Sequence, residues 1–213
     1  MKRYILLLFL SLSSFSLMAQ DMKALFSSMP DSFIPQLETA WRKDLADLYQ
    51  TGKEAKLKNI MNGDSELLEL TADYLMLQVS PSSYVELKML PLINNTYIIC
   101  MIRTVAGPAP DSRVAFYTTE WQPLESSALL TPCETNWFIK EEADKESDAY
   151  LDAVSRLDID LVGYRLSADK PIIAAVYTTP SYLGEEERKR LKPFLKDQPR
   201  IYTWNKSSFI PNP

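Results

Sequence analysis

From Pro35 to Gln50 the apolar residues Leu37, Trp41, Leu45, Leu48 and Tyr49 recur at intervals of four, four, three and one. That spacing places them on one side of a helix. Pro35 suits a first helical turn, Asp31 or Ser32 can cap a turn just before it, and Gly52 is a stop signal. Arg42, Lys43, Asp44 and Asp47 fill the other side, so the pattern predicts an amphipathic helix laid on a core. A partner-binding helix is the alternative.

Past Gly63 the period drops to two. Tyr74 to Val79 reads as a short apolar strand and Ser80-Pro81-Ser82-Ser83 as a turn. Val85, Leu87 and Met89 then alternate with Glu86 and Lys88, which predicts a strand with one wet face. After Asn94-Asn95, the run Thr96 to Val105 is apolar on both faces and reads as a central strand. A Gly107 to Ser112 loop leads into Arg113 to Trp121. Four strands in order, joined by short loops, predict an antiparallel meander.

The pattern then loosens. Leu124 to Glu134 is irregular, Trp137 to Ile139 reads as a strand end, and the second half of Lys140 to Arg156 reads as a helix. The charge run Glu141, Glu142, Asp144, Lys145, Glu146 and Asp148 lacks calcium-loop spacing and its Gly, so it reads as a solvated face. Leu157 to Leu166 and Pro171 to Thr179 predict a hairpin around Ser167 to Lys170. Gly184 to Lys196 predicts a helix shortened by Pro193, Pro199 to Trp204 a last strand, and 206–213 a loose tail. Val114-Ala115-Phe116-Tyr117-Thr118-Thr119 echoes Ala174-Ala175-Val176-Tyr177-Thr178-Thr179. Equivalent strands of two related halves and common strand composition both account for the echo.

These elements predict a single α+β domain over residues 20–205. One antiparallel sheet of about seven or eight strands, a meander plus a hairpin, should carry two or three helices on one face, including the Trp41 helix and the 185–196 helix. A β-sandwich with helical additions is the runner-up.

The chain opens with Lys2 and Arg3, an apolar run to Leu17, and Ala19, which together read as a secretory signal peptide over residues 1–19, cleaved after Ala19. The run is too short for a bilayer span, and no later stretch is apolar enough for one. No Cys sits at the cleavage point, so a lipid anchor is not expected. The expected location is exported, periplasmic or extracellular. Without Lys2 and Arg3, the 28 acidic residues leave a formal charge of −7. No basic patch stands out, so nucleic acid and anionic membranes are poor partners. Export also permits one disulfide, Cys100–Cys133, with two buried free thiols as the alternative.

The 213 residues include no histidine. That removes Ser-His-Asp triads, Cys-His pairs, His-ligated metals and imidazole bases. No Gly-rich phosphate cradle occurs, and no cofactor is implied. Two histidine-free chemistries remain. Ser167 and Lys170 match S-x-x-K, but without the companion motifs and in a turn. Asp158 and Asp160 share one face of the expected strand, a carboxylate pair of glycosidase type. Aromatic residues near strand ends, chiefly Tyr117, Trp121, Tyr177 and Tyr182, are the candidates for stacking on a glycan or gripping a peptide. Half-buried rings capping the core are the simpler account.

The segments MPDSFIPQL (29–37), WRKDLADLYQTG (41–52), GDSELLELTADYLMLQVSPSS (63–83), DIDLVGYRLSADKP (158–171), YTTPSYLGEEE (177–187) and IYTWN (201–205) follow a leader ending in Met-Ala-Gln. Together they resemble the secreted Bacteroidetes proteins grouped as domain of unknown function 3256. The resemblance covers nearly the whole exported chain. It implies a Gram-negative host and an exported location, and it carries no activity or catalytic residues. The residues therefore point to a non-catalytic exported binding or interaction module. A carrier of an apolar ligand and a histidine-independent hydrolase are the alternatives.

Overall fold

The computed structural model describes residues 21–155 and 157–212. The expected signal peptide lies outside the described residues. Helix α1 (Met22–Ser28) starts where the Asp21 carboxylate accepts the Ala24 N–H at 2.7 Å, a side-chain N-cap. It buries Met22, Leu25 and Phe26. Helix α2 (Thr39–Gln50) begins four residues after Pro35, because residues 34–37 close a separate turn through the Leu37 N–H and the Ile34 carbonyl.

Seven strands follow: β1 (Lys56–Lys58), β2 (Asp64–Leu70), β3 (Tyr74–Ser80), β4 (Ser83–Pro91), β5 (Tyr97–Ala106), β6 (Pro110–Thr118) and β7 (Pro123–Leu124). They form one antiparallel sheet in sequence order. β3 to β6 are the four strands that the two-residue period predicts. Helix α3 (Asp148–Val154) comes next, then β8 (Val162–Leu166), β9 (Ile172–Tyr177), helix α4 (Glu185–Leu191), β10 (Arg200–Trp204) and β11 (Phe209–Pro211). These four strands make a second antiparallel sheet, again in sequence order.

The class is α+β, arranged in three layers: α1 and α2, the seven-stranded sheet, and the four-stranded sheet. Strand β5 shows why. Ile99 and Met101 pack with the helices, while Ile98, Cys100 and Ile102 pack with Ile173, Tyr202 and Trp204 of the second sheet. Alternate side chains leave a strand on opposite faces, so a strand apolar on both faces needs a cover on both. The expected 157–179 hairpin is thus in a sheet of its own, stacked on the meander. At the join, β8 comes close to β6: a Cβ at Gly163 would lie 3.7 Å from the Pro110 carbonyl oxygen. Thr178 Oγ1 donates to the Pro110 carbonyl at 2.6 Å, and Ser112 Oγ accepts the Tyr164 N–H at 3.0 Å.

Three expectations change. Helix α4 does not join α2; it packs with α3 in a satellite cluster around Ala153, Leu183 and Leu191. The tail after residue 205 is not loose, since β11 pairs with β10 and Phe209 is buried against Trp204 and Phe116. The polar face of β4 is not wet: Glu86 and Lys88 are each 2% exposed.

Those two charges sit between the sheets. Lys88 Nζ pairs with Asp73 at 2.9 Å and donates to the Ala168 carbonyl at 2.6 Å. Glu86 Oε1 accepts from the Tyr74 hydroxyl at 2.9 Å, but Oε2 has only Arg165 at 4.0 Å. Burial pushes the Glu86 carboxyl above its ordinary range, against the pull of the Tyr74 hydroxyl, Arg165 and the Leu166 backbone N–H. A folded pKa above the unfolded value favours the fold at low pH, and that contribution is lost as pH rises through the folded value. Glu86→Gln keeps an acceptor for Tyr74 and cannot ionise. Urea unfolding from pH 4 to pH 8 should show the variant gaining on the native chain as pH rises, because only the native side chain acquires a buried charge. A constant difference across that range would rule out ionisation of Glu86 as the cause.

Candidate functional site

The β4–β5 connection, the start of β5, the end of β6, and β7 with its following turn enclose a groove of about 590 Å³, open to solvent. Its apolar lining comes from Leu92, Ile98, Leu124, Ala128 and Leu129. Tyr97, which also lines it, is 41% exposed, and Ile93, next in sequence to Leu92, is 77% exposed.

Each wall is fixed by local chemistry. In the β4–β5 connection the Asn94 carboxamide oxygen accepts from the Thr96 N–H and hydroxyl at 3.2 and 2.7 Å, with Asn95 left-handed at φ 62°. In the β6–β7 turn the Thr118 hydroxyl oxygen accepts the N–H groups of Glu120 and Gln122 at 3.2 and 3.3 Å. The third wall is a single 3-10 turn, Ser126–Ala128, capped by Glu125, which accepts from the Ser127 N–H and hydroxyl at 3.3 and 2.8 Å. On the other side of that turn lies a smaller pocket of about 260 Å³ between Phe116, Leu130 and Tyr164. The Leu129 carbonyl accepts the Phe209 N–H at 2.8 Å, which ties this wall to β11.

Two carboxylates, Glu120 and Glu125, line the groove. Hydrogen bonds from Thr119 and Thr118 hold Glu120 below the usual carboxylate range, and those from Ser127 do the same for Glu125. Both are therefore ionised at neutral pH. Neither suits the proton-donating carboxylic acid of glycoside hydrolysis, whose pKa must be raised.

The residues singled out from the sequence divide between distant places. Tyr117 and Trp121 meet each other and Phe33 on the helix side of the β6–β7 turn, behind the groove wall; Tyr117 lies edge-on to Phe33 at 4.9 Å. Tyr177 belongs to the second sheet, stacked on Phe138 at 5.6 Å, with its hydroxyl donating to Asp160 at 3.3 Å. Burial raises the Tyr177 hydroxyl pKa. Tyr182 is exposed beside α4. The four do not form one platform.

Asp158 and Asp160 precede β8 instead of lying on it. The Thr179 hydroxyl accepts the Leu161 N–H at 2.7 Å and donates to the Ile159 carbonyl at 3.2 Å, so a side chain holds this segment where a strand ladder was expected. Asp158 is exposed, and Asp160 is engaged by Tyr177. Ser167 Oγ accepts the backbone N–H of Lys170 at 3.3 Å, and the Lys170 side chain is exposed. That is a turn contact, not a hydroxyl held by an amine base. Cys100 and Cys133 are buried free thiols, and burial, with Glu86 adding to it, pushes the Cys100 thiol up. Among the described residues no group of three or more Cys, Asp and Glu could hold a metal ion, and no helix is long and apolar enough to cross a membrane.

The groove residues Glu120, Leu124, Glu125, Ala128 and Leu129 escaped the sequence reading. One signal was present: Glu125-Ser126-Ser127 before Ala128-Leu129-Leu130 is an acidic cap followed by an apolar run.

No curated protein matches the chain. Its fold is similar to the structure of a domain of an uncharacterized protein from Porphyromonas gingivalis W83, with a TM-score of 0.79, 28% identity, and coverage of 88% of this chain and 97% of that one. The sequence profile of a protein of unknown function, DUF3256, matches residues 14–209. The chain therefore belongs to the DUF3256 family.

Proposed function

We propose that this chain is a non-catalytic binding module, exported to the periplasm or beyond by a Bacteroidetes cell, that takes its ligand in the β5–β6–β7 groove. One observation carries the reading: a largely apolar concavity of about 590 Å³ whose two carboxylates, Glu120 and Glu125, are both held ionised, with no Ser, Cys or Lys among its lining residues. The leader pattern and the Porphyromonas neighbour support the location. The opening to solvent speaks against a carrier that must enclose an acyl chain, since such a chain would keep much of its surface in water.

The test is a thermal-shift screen of residues 20–213 against short peptides, acyl chains and oligosaccharides, run beside ester, glycoside and peptide turnover assays. One ligand class should bind saturably without being transformed. Ala128→Arg places a long side chain across the groove from an exposed position and should weaken that binding at least tenfold, or about 1.4 kcal/mol, while leaving the melting temperature unchanged. Turnover of any substrate, or binding indifferent to Ala128→Arg, would falsify the reading.

A further inference from the structure

Away from the groove, strand β10 brings two underused donors to one sulfur. Tyr202 is 1% exposed, lies beside the Cys133 thiol, and its buried hydroxyl has no hydrogen-bond partner. Burial, with the neighbouring thiol adding to it, raises the Tyr202 pKa, so the group stays a donor at neutral pH. Arg200, two positions earlier on the same face of β10, stacks on the rings of Trp137 and Tyr202 at 5.4 and 5.3 Å. Among the described residues its side chain meets no carboxylate, and its one polar contact is Cys133 Sγ, 4.0 Å from Nη1. Buried donors are normally matched by an acceptor, and here the acceptor is missing.

The sulfur is held in place but does not fill that role. The Tyr164 hydroxyl accepts the Cys133 N–H at 2.9 Å, and the thiol faces the Glu134 carbonyl at 3.7 Å. Thiol sulfur is a weak acceptor. A single oxygen added to it would accept from the Tyr202 hydroxyl and the guanidinium together, and its own proton would go to the Glu134 carbonyl. Access suits a small reagent. Cys133 is 7% exposed, against 0% for Cys100, and the pocket of about 260 Å³ is bounded by Pro132, its neighbour in sequence, and by Tyr164.

We infer that Cys133 is a site of reversible oxidation by hydroperoxides, held as its sulfenic acid by Tyr202 and Arg200. The Cys133 sulfur attacks the terminal peroxide oxygen. The S–O bond forms as the O–O bond breaks, and the leaving oxygen takes the thiol proton and departs as water or an alcohol. Sulfur loses two electrons and the peroxide gains them. Burial keeps the thiols of other proteins from the product, so it persists as the sulfenic acid instead of passing to a mixed disulfide.

To test this, residues 20–213 are reduced, treated with hydrogen peroxide, trapped with dimedone and mapped by peptide mass spectrometry. The adduct should sit on Cys133, be lost when dithiothreitol precedes dimedone, and be absent from Cys100. Oxidation should raise the native melting temperature, because the new oxygen meets both donors. Tyr202→Phe keeps the ring and removes one donor. Reduced, it should melt no lower than the native chain; oxidised, it should yield about tenfold less adduct as the sulfur passes on to the irreversible sulfinic acid. Arg200→Gln should lower the yield in the same way with Tyr202 in place. Adduct on neither cysteine, equal labelling of both, a Cys100–Cys133 disulfide in its place, or full yield in both variants would overturn the inference. A reduced Tyr202→Phe melting well below the native chain would overturn it too, by showing that an ordered water already serves the hydroxyl.

Discussion

Replacing Arg42 with Met should lower the stability of the whole domain by about 3–5 kcal/mol, a large share of what a domain of this size holds. Helical periodicity puts Arg42 on the solvent side of α2, yet it is completely buried. Its guanidinium donates to three main-chain carbonyls, those of Phe26, Met29 and Leu37, and to Asp31 and Thr39 at 2.9 and 3.0 Å. The end of α1, the connection after it and the start of α2 thus converge on one side chain. Met keeps the methylene packing and removes every donor. Three buried acceptors then lose their partner, at about 1–3 kcal/mol each before relaxation. Lys restores the charge but not the planar fork, so Arg42→Lys should recover less than half of the loss. Urea unfolding reads the magnitude, and hydrogen exchange should show the α1 amides losing protection first. Should Arg42→Met cost no more than Lys43→Met at the exposed neighbouring position, within about 0.5 kcal/mol, the hub has no energetic content. Direction of pH dependence gives an independent check. Arg42 is the main reason Asp31 titrates below its ordinary value. A depressed carboxylate stabilises the fold above its unfolded pKa, and that stability is lost as pH falls through the folded one. The acid limb should therefore be shallower in the variant.

Arg42 also marks where sequence reasoning stops. The three-to-four residue period of α2 is a statement about apolar positions, and α2 does lie on a core through Leu45 and Ala46. A charge on the opposite side is assigned to water by default. Here α1 and the Asp31 turn close over that side, and neither announces itself by periodicity; α1 is only seven residues long. The same default misplaces Glu86 and Lys88. Their alternation with Val85, Leu87 and Met89 gives the strand correctly, but whether the second face meets water or another sheet depends on strands about eighty residues away. Strand β2 hides for a local reason: a bulge between Leu67 and Glu69 breaks the alternation of Asp64–Leu70. The long strands β3 to β6 are legible because no bulge interrupts their centres. The groove is the least legible part, because it is assembled from three turns. Turn residues are chosen for backbone geometry, and their sequence does not say which other turn they will face.

Trp121→Ala should cost about 3–4 kcal/mol, and Trp121→Gly about 1 kcal/mol less. Trp121 is 5% exposed, and its ring fits between Phe33 at 5.3 Å and Tyr117 at 5.9 Å. The Arg103 guanidinium covers Phe33 from outside at 5.6 Å and donates to its carbonyl. Losing so large a buried ring removes several kcal/mol of packing. Against this stands the backbone: Trp121 has φ 62°, a left-handed conformation that a bulky side chain rarely adopts. Burial outweighs a backbone cost of about 1–2 kcal/mol, which is why the residue stays there. Alanine loses the ring and keeps most of that cost, whereas glycine loses the ring and is relieved of it. The order Trp above Gly above Ala, read from urea midpoints, separates the two effects; Ala equal to Gly would show that the turn stores no strain. The consequence reaches the groove. Trp121 follows Glu120 directly, its backbone N–H donates to the Thr118 carbonyl at 3.0 Å, and its ring is held against Phe33 and Tyr117, so Trp121 anchors the wall that presents Thr118, Thr119 and Glu120. Both variants should therefore bind the ligand identified in the thermal-shift screen more weakly than the native chain does, because they release the wall's position. Binding unchanged in a folded Trp121→Gly would show that the wall holds its shape without the ring.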